Sequence, residues 1–311
     1  MAPTDQLKEV EKFLDTLRSF FKKRGYTEVI TPILLPYPNL DDNIIPIRCE
    51  VSKLSQRGLI KYLHTSPEYS MKKLLAQYKK DIFQITHTFR DFEEGAFHDN
   101  EFLMLEYYKI GKDYTYLMDE LEILFKELFG ETITYRGKTI KTTFERISLK
   151  EAFKRFLNID LEPLTEENLK KQLSKAQIEF DPSEDEETLF WRAYLELEKH
   201  LGFEAPTIIY GYPPKYGALA RCRAGYCERF ELYVMGIELA NGYTELTDPV
   251  EVEKRLQKVA KKLNLPIDKK FIEIHKQLPK LLAGVSVGLD RLLAIKLNLE
   301  SIDQLYFRKD I

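Results

Sequence analysis

IFQITHTFRDFEEGAFHDNEFLMLEYYK, residues 82–109, is the stretch on which the fold turns. An apolar run from Ile82 leads to Arg90, a hydrophilic interruption follows, and the chain resumes as the extended run Phe102–Ile110. The pattern predicts strand, long loop, strand, with an arginine closing the first strand. Period-two alternation puts Phe102, Met104, Glu106 and Tyr108 on one face of the second strand. A carboxylate among such neighbours needs a cation or suffers a heavy desolvation penalty. Arg90 would supply one as an internal ion pair, and a bound substrate amine would supply another. These residues alone leave both open.

Toward the N-terminus, Leu7, Val10, Phe13, Leu14, Leu17, Phe20 and Phe21 recur at three- and four-residue spacings, the mark of an amphipathic helix. Arg24-Gly25 ends it with a basic last turn and a glycine free to turn left-handed. Tyr26–Ile30 reads as a strand stopped by Pro32, and residues 36–50, rich in proline, aspartate and asparagine, as loop. In Thr65-Ser66-Pro67-Glu68, Ser66 suits an N-cap, Pro67 the first helical position and Glu68 the positive helix end. Helix-end electrostatics alone would account for that glutamate.

Toward the C-terminus a helix is expected over Tyr116–Phe129 and a β-like patch over Ile133–Phe144. Residues 145–205 are helical, charged and loosely patterned, and read as an insertion outside the main sheet. Strands return at Pro206–Tyr212, Glu228–Val234 and, after a Met235-Gly236 turn, Ile237–Leu246. They carry Glu228, Glu231, Glu238 and Glu245, acids that repel one another unless a metal or another cation lies among them. Helices are expected at Glu251–Leu263 and Lys269–Leu282. In Ala283-Gly284-Val285-Ser286-Val287-Gly288-Leu289-Asp290-Arg291, two glycines let a strand lie close to a flat ligand, and Arg291 opens the last helix.

Composition bounds the class. The chain has 311 residues, 44% hydrophobic and 31% charged, as in a soluble globular protein. No run of ~18 apolar residues offers a membrane span. A net charge of −3 argues against a protein dominated by nucleic-acid binding. Cys49, Cys222 and Cys227 make a reducing cytoplasm the simplest home, and no nearby Cys or His completes a zinc site for the last two.

Taken together, the pieces resemble the three signature motifs of class II aminoacyl-tRNA synthetases, in the lysyl subgroup. Phe20–Pro32 is similar to motif 1, Phe89–Glu106 to motif 2 and Gly284–Arg291 to motif 3. TSPEY at 65–69 and ERFELYVMGIELANGYTELTD at 228–248 extend the likeness, which runs from about residue 8 to the end. Lysyl-tRNA synthetases carry an anticodon-binding barrel before motif 1, and here motif 1 begins almost at the first residue. The chain therefore most resembles the stand-alone paralogues that activate (R)-β-lysine with ATP and attach it to a lysine of translation elongation factor P.

The resemblance implies an α+β fold: an antiparallel sheet of about six strands flanked by helices. It implies one catalytic domain, residues 1–311, without an anticodon-binding domain, and dimerisation through motif 1. It implies that Arg90 holds the α-phosphate and the substrate carboxylate, with Phe102 stacking on adenine and Arg291 on its other face or at the γ-phosphate. Glu231 and Glu238 match the magnesium carboxylates. Glu245, supported by Glu106 and Tyr108, would take the distal ammonium, Glu68 the nearer amine, and Asn241 a polar substrate contact. Ser286 stands where lysyl-tRNA synthetases have glycine, which suits a β-amino substrate.

Two features depart from the family pattern. Phe92 occupies the position of the motif 2 glutamate that reads adenine; Glu93 follows, so a one-residue shift would restore the contact. The loop Asp91–Asp99 holds four acids and no Lys or Arg, leaving His98 as its possible phosphate contact or a loop cap. Four carboxylates would repel a tRNA acceptor stem but complement a protein loop presenting a lysine. Two rival readings stand beside this one: an adenylating ligase that charges a tRNA or carrier with a lysine-like amino acid, and a non-catalytic regulatory paralogue.

Overall fold

Helix α1 (Pro3–Lys23) buries Val10, Phe13, Leu17, Phe20 and Phe21, the stripe that the spacing predicts, and stops before Gly25, whose φ is +82°. The structure is a computed structural model describing residues 3–53 and 56–308. Met1, Ala2, Leu54, Ser55 and Lys309–Ile311, which the single-domain reading includes, lie outside the described residues. Strand β1 (Thr27–Glu28) is followed by a small sheet, β2 (Leu34–Leu35), β3 (Arg48–Lys53) and β4 (Gln56–Leu63). Helix α2 (Glu68–Tyr78) leads into β5 (Ile82–Phe89) and β6 (Glu101–Ile110), then α3 (Tyr114–Phe129) and the hairpin β7 (Thr132–Tyr135) and β8 (Lys138–Lys141).

Next come β9 (Glu145–Ser148), α4 (Leu149–Leu157), α5 (Glu166–Lys175), α6 (Glu186–Glu198), β10 (Thr207–Tyr212), β11 (Cys222–Arg223), β12 (Tyr226–Val234) and β13 (Ile237–Thr244). Helices α7 (Pro249–Leu263) and α8 (Lys269–Ile274), strand β14 (Leu282–Gly288) and helix α9 (Leu289–Lys296) complete the regular elements. The main sheet runs β1-β5-β6-β14-β13-β12-β10-β9, with β11 paired to β12. From β5 to β10 every pairing is antiparallel, giving the six-stranded centre that the resemblance implies. Strands β1 and β9 add in parallel at the two edges.

The two faces of the sheet have opposite characters. Leu105 and Tyr107 of β6, Val285 and Val287 of β14 and Phe230 and Leu232 of β12 pack in one core with α1, α3 and α9. The alternate residues line a polar cavity on the other face. Strict alternation would separate Glu238 from Asn241, which are three residues apart. A bulge prevents this: Glu238 pairs with Tyr233 and Ala240 with Leu232, so Leu239 is the extra residue. Glu238, Asn241, Tyr243 and Glu245 all reach the cavity as a result.

Several expectations need correction. Residues 145–205 are not wholly outside the sheet, because Glu145–Ser148 is its edge strand, parallel to β10. Four residues with only Ile147 buried carry too little periodicity to reveal a strand. The remaining helices form a second core that includes Tyr212 and Tyr233 from the sheet. The helix expected over Lys269–Leu282 ends at Ile274: Pro279 lacks a donor and disfavours helix at the residue before it, and Leu282 begins β14. Pro67, not Ser66, occupies the N-cap of α2, although Ser66 Oγ still accepts from the Glu68 amide at 3.3 Å. Cys222 and Cys227 pair across the β11–β12 hairpin as a disulfide, against the reduced state expected of them, and Cys49 is free. No helix among the described residues is long and apolar enough to cross a membrane.

Candidate active site

The cavity measures about 510 Å³, and its floor is the polar face of β6, β14, β13 and β12. One rung of the sheet carries Glu106, Ser286, Asn241 and Glu231 side by side on these four strands; the next carries Tyr108, Gly284 and Tyr243. Glu68, Arg90, Glu93, His98, Phe102, Glu238, Glu245 and Arg291 join them, so all the site residues named from the sequence line one cavity. Glu228 does not: Arg221 holds it outside, with Nη2 2.5 Å away.

At one end lie Glu68, Glu106 and Glu245. The pairing of Arg90 with Glu106 that the sequence left open is absent from the ion pairs of the described residues. Glu106 Oε1 instead accepts from Tyr108 Oη at 2.6 Å. Burial, and then the Glu68 charge, push the Glu106 carboxyl up to about 8. Glu68 Oε1 accepts from Tyr243 Oη at 2.8 Å and from Lys72 Nζ at 2.6 Å. Lys72 Nζ also lies 2.5 Å from Glu245 Oε2, an ion contact off the hydrogen-bonding direction that leaves this buried oxygen without a hydrogen bond. Burial and Glu68 raise the Glu245 carboxyl while Lys72 pulls it down. Gly284 makes this crowding feasible, since a Cβ there would stand 2.4 Å from both Glu245 Oε1 and Tyr108 Cε1.

Arginines and glutamates are interleaved at the other end. The Arg90 guanidinium lies 4.9 Å above the Phe102 ring, on the aromatic expected to stack against adenine. Arg291 Nε donates to Phe97 O at 2.8 Å and Nη1 to Glu238 O at 3.0 Å, tying the loop after β5 to β13. Glu231 is saturated: Arg229 and Asn241 donate to Oε1, and Tyr194 and Tyr233 to Oε2 at 2.6 and 2.7 Å. Glu238 lies 3.6 Å from Arg291, and its carboxyl is raised by burial and then by the Glu231 charge. Ser286 Oγ donates to Asn241 O at 3.3 Å, which leaves its Cβ as the bulk added to the floor.

In the loop between β5 and β6, Phe92 and Glu93 face opposite ways. Phe92 adopts a φ of +60° and is 84% exposed, while Glu93 lines the cavity. The left-handed residue turns the aromatic outward and advances the glutamate by one position. His98 also lines the cavity, but burial and then Arg291 hold its imidazole below the ordinary value. That shift favours the neutral ring, which can still donate one hydrogen bond to an anion.

Sequence reasoning missed several contributors. Lys72 follows Glu68 by four residues on α2, among the buried positions Met71, Leu75 and Ala76, a helical spacing that could have exposed it. Asn39 is buried at the cavity wall with both amide atoms unpartnered, and nearby Asp41 is raised by burial while Arg229 and Arg90 pull it down. Glu198 of α6, pushed up to about 7 by burial, lies 2.9 Å from Tyr233 Oη, whose one proton is shared with the nearer Glu231. No short-range signal marks these last positions, because only tertiary packing brings them to the sheet.

Comparison with known proteins yields a consistent set of relatives. The family described as tRNA synthetases class II (D, K and N) matches residues 3–308. The chain is 49% identical over 304 residues to the elongation factor P–(R)-β-lysine ligase homolog of Aquifex aeolicus (strain VF5), covering 98% of this chain and 99% of that one. It is 35% identical to the elongation factor P–(R)-β-lysine ligase of Proteus mirabilis (strain HI4320), covering 94% and 90%. The ligase of that name from Photorhabdus laumondii is 36% identical, covering 93% and 90%.

Proposed function

The chain belongs to the class II tRNA synthetases (D, K and N), and on that premise we propose that it activates a lysine-like diamino acid with ATP and transfers it to a lysine side chain of translation elongation factor P. (R)-β-lysine is the substrate this reading favours, with lysine as the nearest alternative; both the acyl group and the acceptor carry over from the names of the relatives. The observation that carries the proposal is the polarity of the cavity. Carboxylates suited to amines stand at one end and guanidiniums suited to anions at the other, with the sheet floor between them.

The chemistry follows from that polarity. Glu68 and Glu245, with Glu106 behind a released proton, hold the two ammonium groups, and Asn241 offers a polar contact between them. Arg90 brings the substrate carboxylate against the α-phosphate, and its fork of donors offsets the repulsion of two anions. The carboxylate attacks the α-phosphorus, pyrophosphate leaves, and an acyl-adenylate forms. The acceptor amine, once deprotonated, then attacks the acyl carbon and AMP departs. Phe102 and Arg291 would flank the adenine, and Glu93, which faces the cavity, would contact its amino group.

Glu231 and Glu238 would hold magnesium, an ion that takes one or two carboxylates and completes its shell with phosphates and water. Glu231 would first exchange a hydrogen bond from Arg229 or Asn241 for the ion. Among the described residues no third His, Cys, Asp or Glu joins them in a ligating group, and a cation would favour the ionised form of the Glu238 carboxyl, which burial and then the Glu231 charge disfavour. Magnesium would neutralise charge on the triphosphate and on the departing pyrophosphate. The acids of the β5–β6 loop favour a basic protein acceptor over a tRNA stem, and a translation factor as acceptor goes with a cytoplasmic enzyme. Dimerisation through motif 1 belongs to the same reading: Ile30, at its end, is 93% exposed.

The experiment is ATP–pyrophosphate exchange with α- and β-lysine, run beside labelling of elongation factor P and charging of tRNA(Lys). Exchange with a diamino acid and salt-sensitive labelling of the factor are expected. Robust tRNA charging without factor labelling would transfer the assignment to a tRNA-charging ligase. Absence of exchange with every lysine isomer would leave a regulatory paralogue.

A further inference from the structure

Behind the amine end sits a lysine to which neither the motifs nor the relatives assign a role. Lys72 lies one helical turn from Glu68, is fully buried, and is not among the side chains facing the cavity. Its ammonium has Glu68 at 2.6 Å and Glu245 at 2.5 Å in front, with the rings of Tyr243 and Phe271 at 5.7 and 5.9 Å beside it. A lysine so deeply buried remains charged only when carboxylates compensate it. Glu68 and Glu245 come from α2 and the end of β13, elements far apart in sequence, and one ammonium bridges them. A stand-in for the substrate amine would line the cavity; Lys72 does not, while Glu68 and Glu245 do.

The charges can then be counted. Glu68, Glu106 and Glu245 bring three negative charges and Lys72 one positive, a deficit of two when all are ionised. A monoamino acid supplies one ammonium to that end, since its carboxylate goes to Arg90. A diamino acid supplies two. We propose that Lys72 is the positioning residue of the amine clamp, holding Glu68 and Glu245 from behind and setting a charge deficit that only a substrate with two ammonium groups fills. This rests on the amino-acid reading of the cavity given above.

The test compares the unaltered protein with Lys72→Met, Lys72→Ala and Lys72→Arg. Thermal shift with 1,5-diaminopentane, lysine, β-lysine and norleucine reads the clamp without any chemistry, and pyrophosphate exchange reads the reaction. The diamines should stabilise the unaltered protein and norleucine should not. Lys72→Met should raise KM for the diamino acid about 10- to 100-fold while KM for ATP stays within about twofold. The acidic limb of its pH profile should move upward, because the carboxylates lose their cation. Methylammonium should partly restore Lys72→Ala, and Lys72→Arg should keep the preference for diamines.

A folded Lys72→Met with unchanged diamino-acid KM and pH profile overturns the proposal. Should that variant not fold, Lys72→Arg decides, and its loss of the diamine preference in a folded protein is equally fatal. Failure of every diamine to stabilise the unaltered protein also overturns it. If the diamines bind but no isomer supports exchange, the ligase reading falls and the clamp stands.

Discussion

The two ends of the cavity share a floor but solve opposite electrostatic problems. At the amine end one internal ammonium touches two of three carboxylates, and the third, Glu106, has only the Tyr108 hydroxyl, so charge is missing and the substrate supplies it. At the phosphate end Arg90, Arg229 and Arg291 are interleaved with Glu93, Glu231 and Glu238, so the charges nearly cancel and partners must be exchanged as anions arrive. An end that waits for charge selects the substrate; an end that trades partners can follow charge as it develops. Substitutions should divide accordingly, with KM moving at the first end and kcat at the second.

The largest effect should come from Arg90→Ala. Removing the guanidinium that joins the carboxylate to the α-phosphate should lower the exchange rate by about 10³-fold or more. Steady-state exchange at saturating lysine and ATP measures it. A loss confined to the amino-acid KM would break the division between the ends.

A smaller effect is pH dependence, and it belongs to the amine end. Glu106, whose hydrogen-bond partner is Tyr108, retains its proton up to about pH 8 in the free enzyme. An incoming ammonium must displace that proton at pH 7 but not above 8. KM for the diamino acid should therefore fall as pH rises from about 6.5 to 8.5, by at most about tenfold per unit, until the substrate amines themselves deprotonate. Stability moves the other way: the unfolded carboxyl ionises near its ordinary value, so the folded protein loses stability as pH rises from there to about 8. A saturating diamino acid should flatten that decline in Tm. A KM independent of pH would mean that Glu106 is already ionised in the free enzyme and that no proton has to be displaced.

Between the ends lies Ser286, on the same rung as Glu106 and Asn241. Its hydroxyl is held by Asn241 O, so Ser286→Gly removes bulk from the floor without freeing a charge. The expected result is a rise in exchange with α-lysine relative to β-lysine, worth about 1–3 kcal/mol in relative kcat/KM. An unchanged ratio would remove the floor from the list of specificity determinants and leave discrimination to the acids.

How much of this was legible in the sequence depends on the range of the interaction. The face formed by Phe102, Met104, Glu106 and Tyr108 follows from alternation within one strand, and the structure keeps it. The motif residues came together in one cavity because their spacing is that of a known family. The bulge at Leu239 was hidden, since nothing local distinguishes an extra residue from a regular one. Lys72 sits in a Lys-Lys pair whose composition alone does not say which member is inside; its spacing with Met71, Leu75 and Ala76 was the available signal. Its contacts with Glu68 and Glu245 show it to be the buried one, Lys73 being half-buried against Asp268. Tyr194, Glu198 and the edge strand β9 come from a segment whose weak pattern suggested an appendage, because their pairing partners lie elsewhere in the chain.

The smallest effect tests how the phosphate end reads adenine. Phe92 occupies left-handed backbone at φ +60° with its ring in solvent, a conformation that costs a bulky side chain about 1 kcal/mol or more. Phe92→Gly should relieve that strain, raising Tm slightly if the gain exceeds the entropy a glycine adds to the unfolded chain. It should leave KM for ATP unchanged, since the ring faces away from the cavity. Glu93→Gln, one residue on, should raise KM for ATP and weaken the preference for ATP over GTP, because Glu93 is the member that faces inward. If instead Phe92→Gly alters nucleotide preference while Glu93→Gln does not, the ring moves inward when nucleotide binds, and the phosphate end is reorganised by its substrate where the amine end is built in advance.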